Sequence, residues 1–83
     1  MKFIAEIDVM PLKELLDPEG KTVVHHMKDI ELTGVEDVRI GKHITMTIDA
    51  ESEQEATDKV ELACKKILAN PVMEFYQFTV NAG

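Results

Sequence analysis

Apolar and polar residues alternate from Lys2 to Met10, with Phe3, Ala5, Ile7 and Val9 on one side and Glu6 and Asp8 on the other. A period of two predicts a strand with one buried face, and Pro11 predicts its end. Pro11 to Leu16 reads as a loop. Asp17-Pro18-Glu19 then has the chemistry of a helix start, with Asp as N-cap, Pro at the first helical position and Glu near the positive end of the dipole. Gly20, Val23, Val24, Met27 and Ile30 recur at three- and four-residue steps, which puts them on one face of that helix. Gly34 suits its C-terminal side.

Val35 to Ile40 reads as a second strand, Val38 and Ile40 facing inward and Arg39 outward, and Gly41-Lys42 as a tight turn. Alternation resumes at His43, with Ile44, Met46 and Ile48 against Thr45, Thr47 and Asp49, so the two runs predict a hairpin. Ser52-Glu53-Gln54-Glu55 fits a capping box. It opens a second helix whose apolar stripe is Ala56, Val60, Ala63, Cys64 and Ile67, with Lys65 and Lys66 near the negative end. Asn70-Pro71 stops this helix, and Val72 to Val80 forms the last strand with Tyr76, Phe78 and Val80 inward. Residues 81–83 read as a flexible tail. The order predicts one α+β domain over residues 1–83, a ferredoxin-like βαββαβ fold with a four-stranded antiparallel sheet and two helices on one face.

Two helices cover only one sheet face. The other is expected to carry Ile4, Glu6, Asp8, Met10, Arg39, Thr45, Thr47, Phe75, Gln77 and Thr79. Ile4, Met10 and Phe75 are larger apolar groups than a solvated face needs, and a chain of 83 residues has a thin core. Both features favour association with another polypeptide, including a second copy.

The net charge of −7 argues against nucleic acid and anionic membrane surfaces. With Cys64 alone, no internal disulfide forms, and a reducing cytoplasmic location is expected. Little in the sequence points to catalysis. His25 and His26 are helix neighbours about 100° apart and cannot share a metal, and His43 stands alone beside the turn. Cys64 lies in an apolar stripe, where a thiol packs as a small hydrophobe. The isolated glycines Gly20, Gly34, Gly41 and Gly83 make no phosphate cradle. No metal, cofactor or catalytic residue is expected in the chain itself.

Three segments stand out together: Leu16-Asp17-Pro18-Glu19-Gly20, Val38-Arg39-Ile40-Gly41-Lys42, and the run from Cys64 through Leu68-Ala69-Asn70-Pro71 to Tyr76. In this order and spacing the chain resembles the PurS family, the small subunit of phosphoribosylformylglycinamidine (FGAM) synthase. Many members have Gln where this chain has Glu19, and His25-His26 is not typical of them.

The resemblance implies a non-catalytic role in purine biosynthesis. A homodimer would bridge a large synthetase subunit, PurL, and a glutaminase subunit, PurQ, and help ammonia pass between them. ATP, Mg and glutamine would be used by those partners. The residues it singles out are interface or turn candidates: Asp17, Pro18 and Gly20 at the helix start, Arg39, Gly41 and Lys42 at the hairpin tip, Asn70 and Pro71 before the last strand, and Tyr76 beyond. Capping and turn chemistry alone accounts for most of these, whereas Arg39 and Lys42 are expected to be free for a partner's carboxylates. A second reading is an amino-acid-binding regulatory module of the ACT type, although Asp17-Pro18-Glu19-Gly20 is only loosely similar to the Pro-Gly first loop of that class.

Overall fold

A computed structural model describes all residues 1–83. Its elements are β1 (Lys2–Pro11), α1 (Pro18–Asp29), β2 (Lys42–Asp49), α2 (Glu53–Ala63), a π-helical turn (Cys64–Leu68) and β3 (Glu74–Ala82). The strands form one antiparallel sheet in the order β2-β1-β3, so β1 is central. Phe3 faces Ile48, Ile7 faces Ile44 and Val9 faces Lys42 on one side of β1. On its other side Ile7 faces Phe78 and Val9 faces Tyr76.

The alternation of β1 places its apolar residues against α2. Phe3, Ala5, Ile7 and Val9 are buried with Ile48, Ala56, Val60 and Cys64, and Tyr76, Phe78 and Val80 flank them. Small residues in α2 let the helix approach the sheet closely. Ser52 caps it by accepting from Glu55 N–H at 3.1 Å, while the Glu55 carboxylate accepts from Glu51 N–H at 2.8 Å, one residue earlier than the usual box.

Four features depart from the sequence pattern. First, the sheet has three strands, because residues 35–40 form no regular element and lie outside it, and no hairpin forms at Gly41-Lys42. Period-two alternation shows that a segment is extended; it does not supply a neighbouring strand to pair with.

Second, α1 does not lie on the sheet. Gly20 is its only buried residue, and Ile30, expected on its inner face, lies past the helix end and is exposed. α2 packs on β1 and β3 alone to any extent, leaving Ile44 and Met46 of β2 half-buried. The molecule measures 52 × 26 × 15 Å.

Third, α2 loosens into the π turn, closed by Ala69 N–H on the Cys64 carbonyl five residues back. The wider turn shifts the phase of the stripe, so Ile67 points outward (80% exposed) and Ala69 is buried instead. Fourth, the last residues are paired: Asn81 and Ala82 belong to β3, and Gly83 N–H donates to the Lys2 carbonyl at 2.9 Å. No helix is long and apolar enough to cross a membrane.

Candidate functional site

Asp17 sits where α1 leaves the sheet. As N-cap it accepts from Gly20 N–H on Oδ1 at 3.1 Å, and on Oδ2 it accepts from Ile40 N–H at 2.7 Å. The Ile40 N–H first, and then that of Gly20, hold its carboxyl below the usual 3.8. One side chain thus ties the start of α1 to the chain returning towards β2. Two glycines let the backbones meet there. A Cβ at Gly20 would collide with the Val38 carbonyl, and one at Gly41 with Met10 Sδ and the Val9 carbonyl.

Arg39 completes this waist. Its guanidinium donates to the Leu15 carbonyl at 2.7 Å and to the Lys13 carbonyl, and its Nε lies 3.5 Å from Asp37 Oδ2. Arg39 is therefore neither on the open sheet face nor free for a partner, contrary to the sequence expectation. Loop carbonyls outside a ladder need donors, and a guanidinium fork supplies two at once. Lys42 fits that expectation better. It is exposed, on the rim of a hollow of about 320 Å³ shared with Glu19 and Glu74.

The corner between α2 and β3 closes the waist from the other side. The Asn70 carbonyl accepts from Met73 and Glu74 N–H at 3.0 and 2.7 Å, and Asn70 Oδ1 accepts from Val72 N–H at 3.0 Å. Asn70 N–H donates to Glu74 Oε1 at 2.8 Å, and Leu12 N–H donates to the Met73 carbonyl at 2.9 Å. These bonds keep Pro71 to Met73 in a turn, so β3 begins at Glu74 rather than Val72.

Pieces of all three sequence segments meet at a cleft of about 340 Å³ lined by Leu16, Asp17, Pro18, Ile40, Asn70 and Met73, among others. Leu16 and Met73 are 65% and 54% exposed on it. Both Asp17 oxygens are occupied and Glu74, the other carboxylate lining the cleft, accepts from Asn70 N–H, so the cleft is an apolar socket with an acidic rim.

Tyr76 is not part of this cluster. Its hydroxyl donates to Glu61 Oε1 at 3.0 Å and its ring stacks with Phe78 at 6.3 Å, on the α2 side of the sheet. Burial raises the Tyr76 hydroxyl and, likewise, the Cys64 thiol, which lies in the core. His25 and His26 are exposed on α1. No group of three His, Cys, Asp or Glu side chains is placed to hold a metal ion.

Sequence reasoning missed one cluster. On the open sheet face, His43 Nδ1 lies 2.7 Å from Asp8 Oδ1 and Nε2 lies 2.5 Å from Glu6 Oε2, and Thr45 Oγ1 donates to Glu6 at 3.1 Å. A carboxylate only accepts, so the ring makes both bonds when it is protonated on both nitrogens. Hydrogen bonding to Asp8 and then to Glu6 raises His43 above its usual 6.5, and hydrogen bonds from His43 and Thr45 lower Glu6. The antiparallel register of β1 and β2, which sets Asp8 opposite His43, was the signal that could have found it.

Comparison with known proteins gives a consistent picture. Residues 4–82 match the family PurS, phosphoribosylformylglycinamidine (FGAM) synthase. The Bacillus subtilis phosphoribosylformylglycinamidine synthase subunit PurS is 41% identical over 70 residues, 83% of this chain and 82% of that one. The Synechocystis sp. subunit PurS is 38% identical over 68 residues, 82% and 68% of the two chains. The solved B. subtilis PurS structure superposes with a TM-score of 0.86 at 34% identity, covering 95% of this chain and 98% of that one. A chain in the structure of PurLQS from Thermotoga maritima superposes with a TM-score of 0.88 at 31% identity, covering 96% and 98%.

Proposed function

The chain belongs to the PurS family, and from that premise we propose that it is the small, non-catalytic subunit of FGAM synthase, a glutamine-hydrolysing ligase of purine biosynthesis. Its partners are the large synthetase subunit PurL and the glutaminase subunit PurQ. The observation that carries this reading is its full-length likeness to a chain of the PurLQS assembly. All the relatives and structures named are PurS or contain it, and none favours the ACT-type alternative.

The chemistry of the chain fits a supporting role. Its one thiol is buried in the core, so glutamine hydrolysis belongs to PurQ, while ATP and Mg belong to PurL. Ammonia set free in water protonates and diffuses away, so a protein seal between two active sites serves the reaction without reacting itself. In this reading two copies of the chain pair, and the waist cleft with Leu16 and Met73 is offered to a partner subunit, Glu74 setting the charge at its rim and Lys42 that of the adjoining hollow. Asp17, Gly20, Arg39 and Gly41 shape that surface from behind.

Reconstitution tests the reading. Mixed with PurL, PurQ, glutamine and nucleotide, the chain is expected to co-elute with both and to restore glutamine-dependent FGAM formation, while showing no turnover alone. A chain that elutes apart, and whose omission leaves the glutamine-dependent rate unchanged, defeats it.

A further inference from the structure

The cleft at the waist and the hollow beside it adjoin. The cleft, about 340 Å³, is lined by Leu15, Leu16 and Met73 among others, and the hollow, about 320 Å³, by Glu19, Gly41 and Lys42. Ile40 and Glu74 line both, so an apolar seat and a charged seat share one ridge.

The apolar seat is built but unfilled. Leu16 and Met73 remain 65% and 54% exposed on it, and apolar surface in water is a standing cost that an incoming side chain removes. The backbone around the seat is fixed in advance. Asp17 ties Ile40 to the start of α1, and Leu12 N–H donates to the Met73 carbonyl. A fixed seat loses little freedom when it is occupied.

The charged seat has a surplus of negative charge. Glu19 and Glu74 stand against Lys42, and neither carboxylate forms an ion pair within the chain. Glu74 is half-buried, with Oε1 accepting from Asn70 N–H at 2.8 Å and Oε2 left for an outside donor. One incoming cation balances the hollow. A guanidinium suits it better than an ammonium, because its planar fork engages two carboxylates at once. The chain cannot offer that group to a second copy of itself. Arg39 is its only arginine, and it is spent on the Leu15 and Lys13 carbonyls.

We infer that the cleft and hollow together receive one segment of a different subunit, an apolar side chain entering beside Leu16 and Met73 and a neighbouring arginine facing Glu19 and Glu74. The inference rests on the assembly role given above and specifies the chemistry by which another subunit is gripped. Residues two apart on a strand, or three or four apart on a helix, present both groups to one side.

The affinity of the full chain for PurL and PurQ, read by biolayer interferometry over a salt series, tests it. Leu16→Asp is expected to weaken binding by roughly thirtyfold or more. Glu19→Gln/Glu74→Gln is expected to weaken it by about tenfold and to flatten its salt dependence, while the amide at position 74 still accepts from Asn70 N–H. Lys42→Gln is expected to bind as tightly as the unaltered chain or more tightly. Variants at 16, 19 and 74 that bind as the unaltered chain does overturn the inference and leave co-assembly intact. An unaltered chain that binds neither subunit overturns the functional reading and the inference with it. Photo-cross-linking identifies the occupant. Leu16→p-benzoylphenylalanine in the assembled complex is expected to label a PurL or PurQ peptide with an arginine within about four residues of the link. Exchanging that arginine for glutamine is expected to weaken the unaltered chain by about tenfold and to leave the affinity of the double variant unchanged, since the charges act on each other. A label on a second copy of the chain, a labelled peptide without arginine, or no label in the assembled complex overturns the inference. Should Leu16→Asp misfold by circular dichroism, Met73→Asp repeats the apolar test from the other side of the cleft.

Discussion

Two charged side chains respond to pH in opposite senses. Asp17 accepts from backbone N–H groups of Gly20 and Ile40, so its folded carboxyl titrates below the usual 3.8. The stability it contributes is present above that value and is lost as pH falls through the lowered one. His43 is held as an imidazolium between Asp8 and Glu6 and titrates above 6.5. Its contribution is full below 6.5 and is lost as pH rises through the raised value. The urea midpoint is therefore expected to decline as pH rises above 6.5 and through the raised value, and His43→Ala is expected to remove the part of that decline due to the clamp. Equal declines in both proteins would show that the clamp adds nothing. Asp17 was legible as a helix cap because capping is decided within three residues of sequence. Its bond to Ile40, 23 residues away, depends on how the chain returns, which local pattern does not encode.

At the scale of elements, the strands of β1 and β2 and both helix starts follow from alternation, capping and proline position. Residues 35–40 show where such reasoning stops. Val38 and Ile40 alternate with Arg39 as a strand would, yet the segment is spent on the waist, its Val38 carbonyl against Gly20 and its Arg39 turned back to Leu15 and Lys13. The π turn is a second case, since one extra residue in a helical turn leaves apolar composition unchanged but turns Ile67 to solvent. If Arg39 is the clasp of the waist, Arg39→Ala is expected to cost about 1.5–3 kcal/mol, the range for hydrogen bonds to a charged group. Chemical denaturation measures this, and a loss near zero would instead favour the sequence expectation of a free, partner-facing cation.

For the whole molecule, burial is meagre: 11 of 83 residues are buried, and apart from Gly20 they all lie between the sheet and the α2 region. In the proposed pairing of copies, a body so thin, whose α1 does not lie on the sheet, draws on a second chain for part of its free energy of folding. Its thermal midpoint is therefore expected to rise with protein concentration over a hundredfold dilution series, as mass action requires when folding and association are linked. A midpoint independent of concentration would mark a self-sufficient monomer. Chain order alone could announce an α+β layer. That α1 leaves the sheet instead of covering it is set at the waist, where a few backbone contacts fix its direction.

The two chain ends add a practical corollary. The Met1 ammonium pairs with Asp49 at 3.2 Å and Gly83 lies beside Lys2, so both ends sit together at the end of the sheet opposite the Pro11 end of β1 that leads to Asp17. An affinity handle, dye or sensor-chip linker attached at the carboxyl end would hold every molecule in one orientation, with the waist cleft turned to the solution. The same linker at the amino end would first discharge the Asp49 contact.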